Sequence, residues 1–283
     1  MRLPASRLIS PCRRRATGEA ARYAILLLFF GWAAPETAGA SVMDPAASAL
    51  LAAGDSAMTR LDLGLATAAY VRAHRADPKN YEAACKLARA FADSATLSHR
   101  AEDQERLCRQ AESLARAAIA LEPRGAKGHA YLAVALGKLA LFEGGKDKVR
   151  LSRQIEAEAD TALALDPDDD LAHHVLGVWN REVAELSGFL RFFATTLYGK
   201  LPQGSMDQAL VHLRRATSLR PDVVPHRVEL GITLADARRY REGEEELDRA
   251  LSMPTNWVTD DSYRAKAREA LARVRRKLGS SRP

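Results

Sequence analysis

Four prolines close four similar stretches of this chain, and their spacing is the feature that most restricts its fold. Five residues before each proline stands an alanine, nine residues after it a leucine, and ten residues after it an alanine or glycine. These prolines are Pro78, Pro123, Pro167 and Pro221. Small residues at both positions let two helices approach closely, the leucine fills the remaining space, and the proline ends the second helix. The pattern predicts a row of helical hairpins.

The composition agrees with helices, since alanine and leucine supply most of the hydrophobic residues and only 6% of the chain is aromatic. The hairpin pattern resembles the tetratricopeptide repeat and is clearest between Gly54 and Pro78. The four prolines are 45, 44 and 54 residues apart, whereas the regular repeat takes about 34. We therefore expect additional residues between the two helices of the second, third and fourth hairpins, as lengthened helices or short connectors. These regions are 94–103, 141–148 and 189–206.

The chain continues into a fifth hairpin and a final helix. Leu230, Gly231, Leu247 and Ala250 repeat the earlier pattern. Residues 260–278 begin with N-capping side chains and carry an apolar stripe, as the solvating helix at the end of a solenoid does. The predicted fold is all-α: a tetratricopeptide-like α-solenoid of about five helical hairpins plus a C-terminal capping helix, within a domain at 41–283.

The first forty residues are expected to be a targeting segment. Six arginines precede an apolar block at 23–34, which is short for a membrane span but typical of a signal-peptide core. Small residues at 38–40 predict cleavage before Ser41, and an uncleaved membrane anchor is the alternative. The protein is therefore expected to be exported, in the periplasm, or tethered to a membrane. These arginines also supply most of the net charge of +6, so the charge gives no argument for binding nucleic acid.

Residues 172–261 resemble the regulator of microtubule dynamics family, and the similarity extends more thinly over 80–278. The matching stretches are HVLGVW at 174–179, EVAEL at 182–186, LYGKLP at 197–202 and MPTNWVTDD at 253–261. The chain departs from the family pattern at Asn180 and Arg181, where aromatic or small residues are common.

The resemblance implies a helical solenoid that binds other molecules and is not an enzyme. Animal members are associated with microtubules, organelle contacts and lipids. An exported chain would meet no microtubule. From the resemblance we therefore expect the family's fold and a binding role, but not its association with microtubules. A lipid-binding module, with microtubule association if the chain is cytoplasmic, is the alternative function.

Two pairs of side chains have the residue types of a metal site or of a disulfide. His173 and His174 are adjacent, so in a helix they point about 100° apart and cannot share a metal as residues four apart do. Cys85 and Cys108 are predicted to be free thiols, because the hairpin places them at opposite ends. Hydrolase, zinc and nucleotide-binding motifs are absent from the sequence. We predict no catalytic residue, no metal and no cofactor.

If the chain binds a ligand, we expect the ligand on the concave face, where solenoids of this kind bind theirs. The register predicts five basic side chains on this face, which would suit an acidic peptide or an anionic lipid head group. They are Arg89, Lys127, Lys138, His174 and Arg181. The predicted partner is a protein or peptide.

A second candidate contact is the aromatic run in the fourth-hairpin insertion. Phe189, Phe192 and Phe193 either fold back onto the solenoid or form a flap that contacts phospholipid. The sequence is compatible with burial of these aromatic side chains and with their contact to lipid.

Overall fold

The computed structural model of the protein describes residues 45–186 and 202–280. The described residues belong to one compact unit. The described residues contain eleven α-helices and no β-strand. In chain order the helices are α1 Pro45–Thr59, α2 Leu63–Ala76, α3 Tyr81–Leu97, α4 Ala101–Leu121, α5 Ala126–Leu139, α6 Gly145–Leu165, α7 Asp170–Ala184, α8 Met206–Leu219, α9 Val224–Asp236, α10 Tyr240–Ser252 and α11 Asp260–Ser280.

The helices pack as consecutive pairs, α1 with α2, α3 with α4, and so on to α9 with α10. The last helix, α11, packs against both α10 and α9. This arrangement confirms the predicted solenoid of five hairpins and a capping helix. The cap was predicted at 260–278 and is observed at Asp260–Ser280. The predicted targeting segment at 1–40 and the residues Phe189, Phe192 and Phe193 lie outside the described residues.

The prolines act as predicted, because α2, α4, α6 and α8 each end two residues before one of them. The additional residues of the second and third hairpins lengthen helices, so that α4 and α6 each contain 21 residues. Short side chains cap several helix starts: the side chains of Asn80 and Asp169 accept hydrogen bonds from Ala83 N–H at 2.8 Å and Ala172 N–H at 2.7 Å.

Two glycines mark the closest approach between the helices of a hairpin. A Cβ atom on Gly177 would lie 2.4 Å from Cγ of Leu213, and one on Gly231 would lie 2.7 Å from Cγ of Leu247. Both distances are shorter than any ordinary carbon contact. A larger residue at either glycine would therefore meet the leucine of the partner helix, which agrees with the close approach that the sequence pattern indicated.

The first helices of the second to fifth hairpins, α3, α5, α7 and α9, form an inner row. Besides its own partner, α5 contacts both α3 and α7, and α7 also contacts α9. We call the surface of α3, α5, α7 and α9 that is turned toward the C-terminal residues the inner face. It is the surface on which the predicted binding residues were placed.

Candidate functional site

The inner face already holds a non-helical piece of the chain itself. Residues 253–259 connect α10 to α11, and we call them the closing segment. The indole Nε1 of Trp257 donates a hydrogen bond to Oδ2 of Asp93 in α3, at 2.9 Å. The guanidinium carbon of Arg89, one turn earlier in α3, lies 3.7 Å from the centroid of the indole ring, a cation–π contact. These contacts join residues 164 positions apart in the sequence.

Apolar contacts accompany this hydrogen bond. Trp257 and Val258 pack against a buried cluster that includes Leu51, Met58 and Leu87. These three residues come from α1 and α3, so the closing segment reaches the first two hairpins. Burial also raises the pKa of Asp93, an effect that the charge of Arg89 and the indole hydrogen bond oppose. The carboxylate acceptor of the indole is thus well removed from water.

The first turns of α11 lie beside the closing segment and also face the inner row. Lys266 in α11 forms an ion pair with Glu229 in α9, with Nζ 2.6 Å from Oε1. The pKa of the Tyr263 hydroxyl is raised by burial and by the negative charges of Glu229 and Asp93. Tyr263 packs against the apolar cluster that includes Val224 and Val228 of α9, so the capping helix lies against the α9 end of the inner face.

The most deeply buried charges of the inner face form one network. Arg181 in α7 and Glu229 in α9 are each 3% exposed, and their side chains are 2.8 Å apart. Arg181 also contacts the Thr233 hydroxyl at 3.2 Å and Glu182 at 3.0 Å. Burial alone would raise the pKa of Glu229, but the positive charges of Arg181 and Lys266 lower it to about 2. The network therefore joins α7, α9 and α11 through ion pairs.

His174 lies beside this network. Its Nδ1 is 3.0 Å from Nδ1 of His226 in α9, whose Nε2 is 2.8 Å from Oδ2 of Asp170. Burial and the neighbouring charge of His226, assisted by Lys266 and Arg181, lower the pKa of His174 to about 3. His174 is therefore a neutral imidazole at ordinary pH, and it joins α7 to α9 through His226.

His173 has a different and repeated role. Its Nε2 lies 3.1 Å from the Pro167 carbonyl, and its Nδ1 lies 3.0 Å from Nδ1 of His212 in the partner helix α8. His129 occupies the same repeat position in the third hairpin, where it contacts the Pro123 carbonyl at 3.1 Å and Glu158 of α6 at 2.7 Å. In the fifth hairpin, Arg227 makes the equivalent contacts with Pro221 and Glu246. The histidine is thus a structural residue of the repeat.

The five predicted binding residues lie in different environments. The Arg89 side chain remains 44% exposed although it covers Trp257, and Lys127 is exposed near the start of α5. Lys138 is half-buried, donates to the Thr96 hydroxyl at 2.6 Å, and has a pKa lowered by burial against the opposing charge of Asp93. His174 and Arg181 were predicted to face a ligand. In the structure both contact α9, and Arg181 is buried.

The metal-ligating residue types, the two cysteines and the helix lengths complete the description of the candidate sites. Within 45–186 and 202–280, no group of three or more His, Cys, Asp or Glu side chains is arranged to hold a metal ion. Cys85 and Cys108 are buried free thiols, and burial raises the pKa of both. None of the helices in the described part of the chain combines the length and apolar character needed to cross a membrane.

The family model and the two relatives that match this sequence belong to the same family. The family model described as "Regulator of microtubule dynamics protein 1-3" matches residues 47–275. The chain is 26% identical over 136 residues to regulator of microtubule dynamics protein 3 of Xenopus laevis, and 25% identical over 138 residues to protein 1 of Bos taurus. Each match spans 48% of this chain, but only 29% and 44% of the two relatives. The chain therefore corresponds to part of these longer proteins.

Comparison with solved structures gives the fold. The tetratricopeptide repeat protein TTC0263 of Thermus thermophilus superimposes with a TM-score of 0.56 and 19% sequence identity. The superposition covers 80% of this chain and all of that one. At this identity the similarity shows a shared tetratricopeptide architecture and nothing about ligands.

Proposed function

Because the chain belongs to the regulator of microtubule dynamics family, we propose that it is a non-enzymatic tetratricopeptide-like scaffold that binds an extended segment of a partner protein on its inner face. One observation carries the proposal: the inner face already holds a non-helical segment, namely residues 253–259 of the same chain. The indole of Trp257 is recognised by a carboxylate acceptor at 2.9 Å and by a cation above the ring. A surface that selects one non-helical segment has the chemistry to select another.

The exposed charge at Lys127 supports a partner with acidic groups. The lysine stands near the start of α5, close enough to Cys85 in α3 for its charge to lower the pKa of that thiol. Within the described residues no hydrogen bond or ion pair joins Lys127 to the closing segment, so a change at Lys127 tests partner binding without removing a polar contact of Trp257.

Replacement of Lys127 by glutamate is expected to weaken capture of the natural partner about five- to tenfold, since a reversed charge at an interface costs on the order of 1 kcal/mol. Capture is measured by quantitative pull-down from the source cell, using the full chain as bait. Arg116→Glu is the matched control, because Arg116 is an exposed arginine of α4 that pairs with Glu112 in the same helix. The partner is identified first with the wild-type chain, and its binding is then compared among the three baits.

Equal capture by the Lys127→Glu and Arg116→Glu baits would place the partner on another surface. Co-purification of a phospholipid with no protein partner would contradict the proposal. It would favour the lipid-binding alternative, for which the residues Phe189, Phe192 and Phe193 were the predicted contacts.

The compartment is a further part of the proposal. We expect residues 1–40 to direct export and to be removed before Ser41. Sequencing the N-terminus of the protein isolated from its source cell tests this expectation. A chain that begins at Ser41 in the periplasmic fraction would support it. An intact N-terminus in the membrane fraction would favour the uncleaved anchor, and an intact chain in the cytosol would contradict export and make microtubule association the better candidate.

A further inference from the structure

The contacts of Trp257 define a socket for one aromatic side chain. Its polar half consists of the Arg89 guanidinium, 3.7 Å from the ring centroid, and the Asp93 carboxylate, 2.9 Å from the indole nitrogen. Its apolar half is the cluster of the first two hairpins that includes Leu51 and Met58. We call Arg89, Asp93 and this apolar cluster the indole socket. It combines three kinds of contact suited to tryptophan: a ring face, an N–H acceptor and an apolar wall.

The closing segment presents Trp257 as a preformed turn. Oδ2 of Asp260 accepts hydrogen bonds from the backbone N–H groups of Asn256 at 2.8 Å and Trp257 at 2.9 Å. Arg264, a residue that is 6% exposed, donates hydrogen bonds to the Met253 carbonyl and the Thr255 hydroxyl, both at 2.8 Å. Asp260 and Arg264 both belong to α11, so the turn is held by the capping helix. Only its indole and Val258 extend to the first two hairpins.

This division gives the turn two separable parts. The contacts of Asp260 and Arg264 stabilise the turn whether or not the socket is filled. The indole contacts join the N-terminal hairpins to the C-terminal cap and close the inner face between them. The turn is therefore held by hydrogen bonds that do not involve the indole.

We propose that Trp257 is an intramolecular occupant of a recognition site for a tryptophan in an extended segment of a partner protein, so that the free chain is self-inhibited. The inference deepens the function proposed above and rests on it. A partner that carries the same side chain competes with Trp257 for Arg89 and Asp93. Because the internal segment is tethered, it competes at an effective concentration on the order of millimolar, and partner binding is weak until the indole leaves.

The test uses a fluorescent peptide that copies residues 253–261, MPTNWVTDD, and the full chain with Trp257→Ala. Binding is followed by fluorescence anisotropy. The variant is expected to bind the peptide at least tenfold more tightly than the wild-type chain does, since its socket is empty. A peptide with alanine in place of tryptophan is the matched control and is expected not to bind. The double variant Trp257→Ala/Asp93→Ala is expected to lose most of the affinity gained.

Absence of peptide binding to a folded Trp257→Ala chain would overturn the self-inhibition. Partner capture that is sensitive to Lys127→Glu would then still support the proposed function, so the two failures are distinguishable. If Trp257→Ala does not fold, Trp257→Phe retains the ring and removes only the N–H donor. The phenylalanine variant is expected to fold and to bind the peptide more tightly than wild type. Its failure to fold, or binding no tighter than wild type, would show that Trp257 is only a structural core residue.

Discussion

Replacement of Arg181 by methionine is expected to lower the free energy of unfolding by about 3–5 kcal/mol, the usual cost of removing one partner from a buried ion pair. Glu229 is 3% exposed and would keep only Lys266 as a cationic partner, while Asp236, 3.8 Å from the Arg181 guanidinium, would lose its counter-charge. Chemical denaturation followed by circular dichroism measures the change. It should appear as a lower midpoint or as earlier unfolding of the C-terminal hairpins, because solenoids do not always unfold in one step.

An exposed pair supplies the matched control. Arg275 contacts Glu244 and Asp248 at 2.8 Å each, but its side chain is 55% exposed, so Arg275→Met is expected to leave the midpoint unchanged. The double variant Arg181→Met/Glu229→Leu removes both buried charges and is expected to recover most of the lost stability. An Arg181→Met midpoint equal to that of Arg275→Met would show that the network contributes nothing. A double variant less stable than the single one would show that packing, and not the unpaired charge, is the cause.

The sequence predicted the hairpins well because their determinants are local. A proline ends a helix wherever it stands, and a leucine-small pair requires a close helix at the next turn, so Pro167, Leu176 and Gly177 place α6, α7 and α8 without further knowledge. The capping helix at 260–278 was predictable for the same reason, since its caps and apolar stripe lie within one segment.

The site was less predictable, because its contacts join distant hairpins. Arg181 was expected to face a ligand, since a charge on an inner helix can either face solvent or pair with the next hairpin. The complementary charge was present in the sequence: Glu229 occupies the inner helix of the following repeat. Comparing charges between equivalent helices would have indicated the pair. The contact of Trp257 with Asp93 had no such signal, because it depends on how far the row of hairpins turns between α3 and α10.

The histidines show how repeat register could have been used further. His129, His173 and Arg227 each stand six residues after a repeat proline, and each reaches back to the carbonyl of that proline. A donor side chain at this position is therefore part of the hairpin. The register would have assigned His173 a structural role directly, leaving His174 as the histidine with unusual properties.

Acidification from pH 6.5 to pH 5 is expected to destabilise the wild-type chain by up to about 1.4 kcal/mol per pH unit through His174 alone. The unfolded chain protonates this histidine near pH 6.5, whereas the pKa in the folded chain is about 3. Between these values the unfolded state binds more protons, so stability falls as the pH falls. Glu229 adds to the loss below pH 4.5, its ordinary pKa, because its folded pKa is about 2. Its contribution is present above 4.5 and disappears toward pH 2.

The comparison that isolates His174 is the variant His174→Gln, measured by chemical denaturation at several pH values between 7 and 5. Glutamine can still form a hydrogen bond with His226 but does not titrate. The free energy of unfolding of the variant is therefore expected to depend less on pH in this range, by the contribution of about one proton. His212 has a pKa lowered by burial and by His173, and it contributes equally to both chains. Identical slopes for the two proteins would mean that His174 accepts its proton in the folded state. Since Lys266 and Arg181 both oppose a charge at this position, that result would also require the inner face to open at mildly acidic pH.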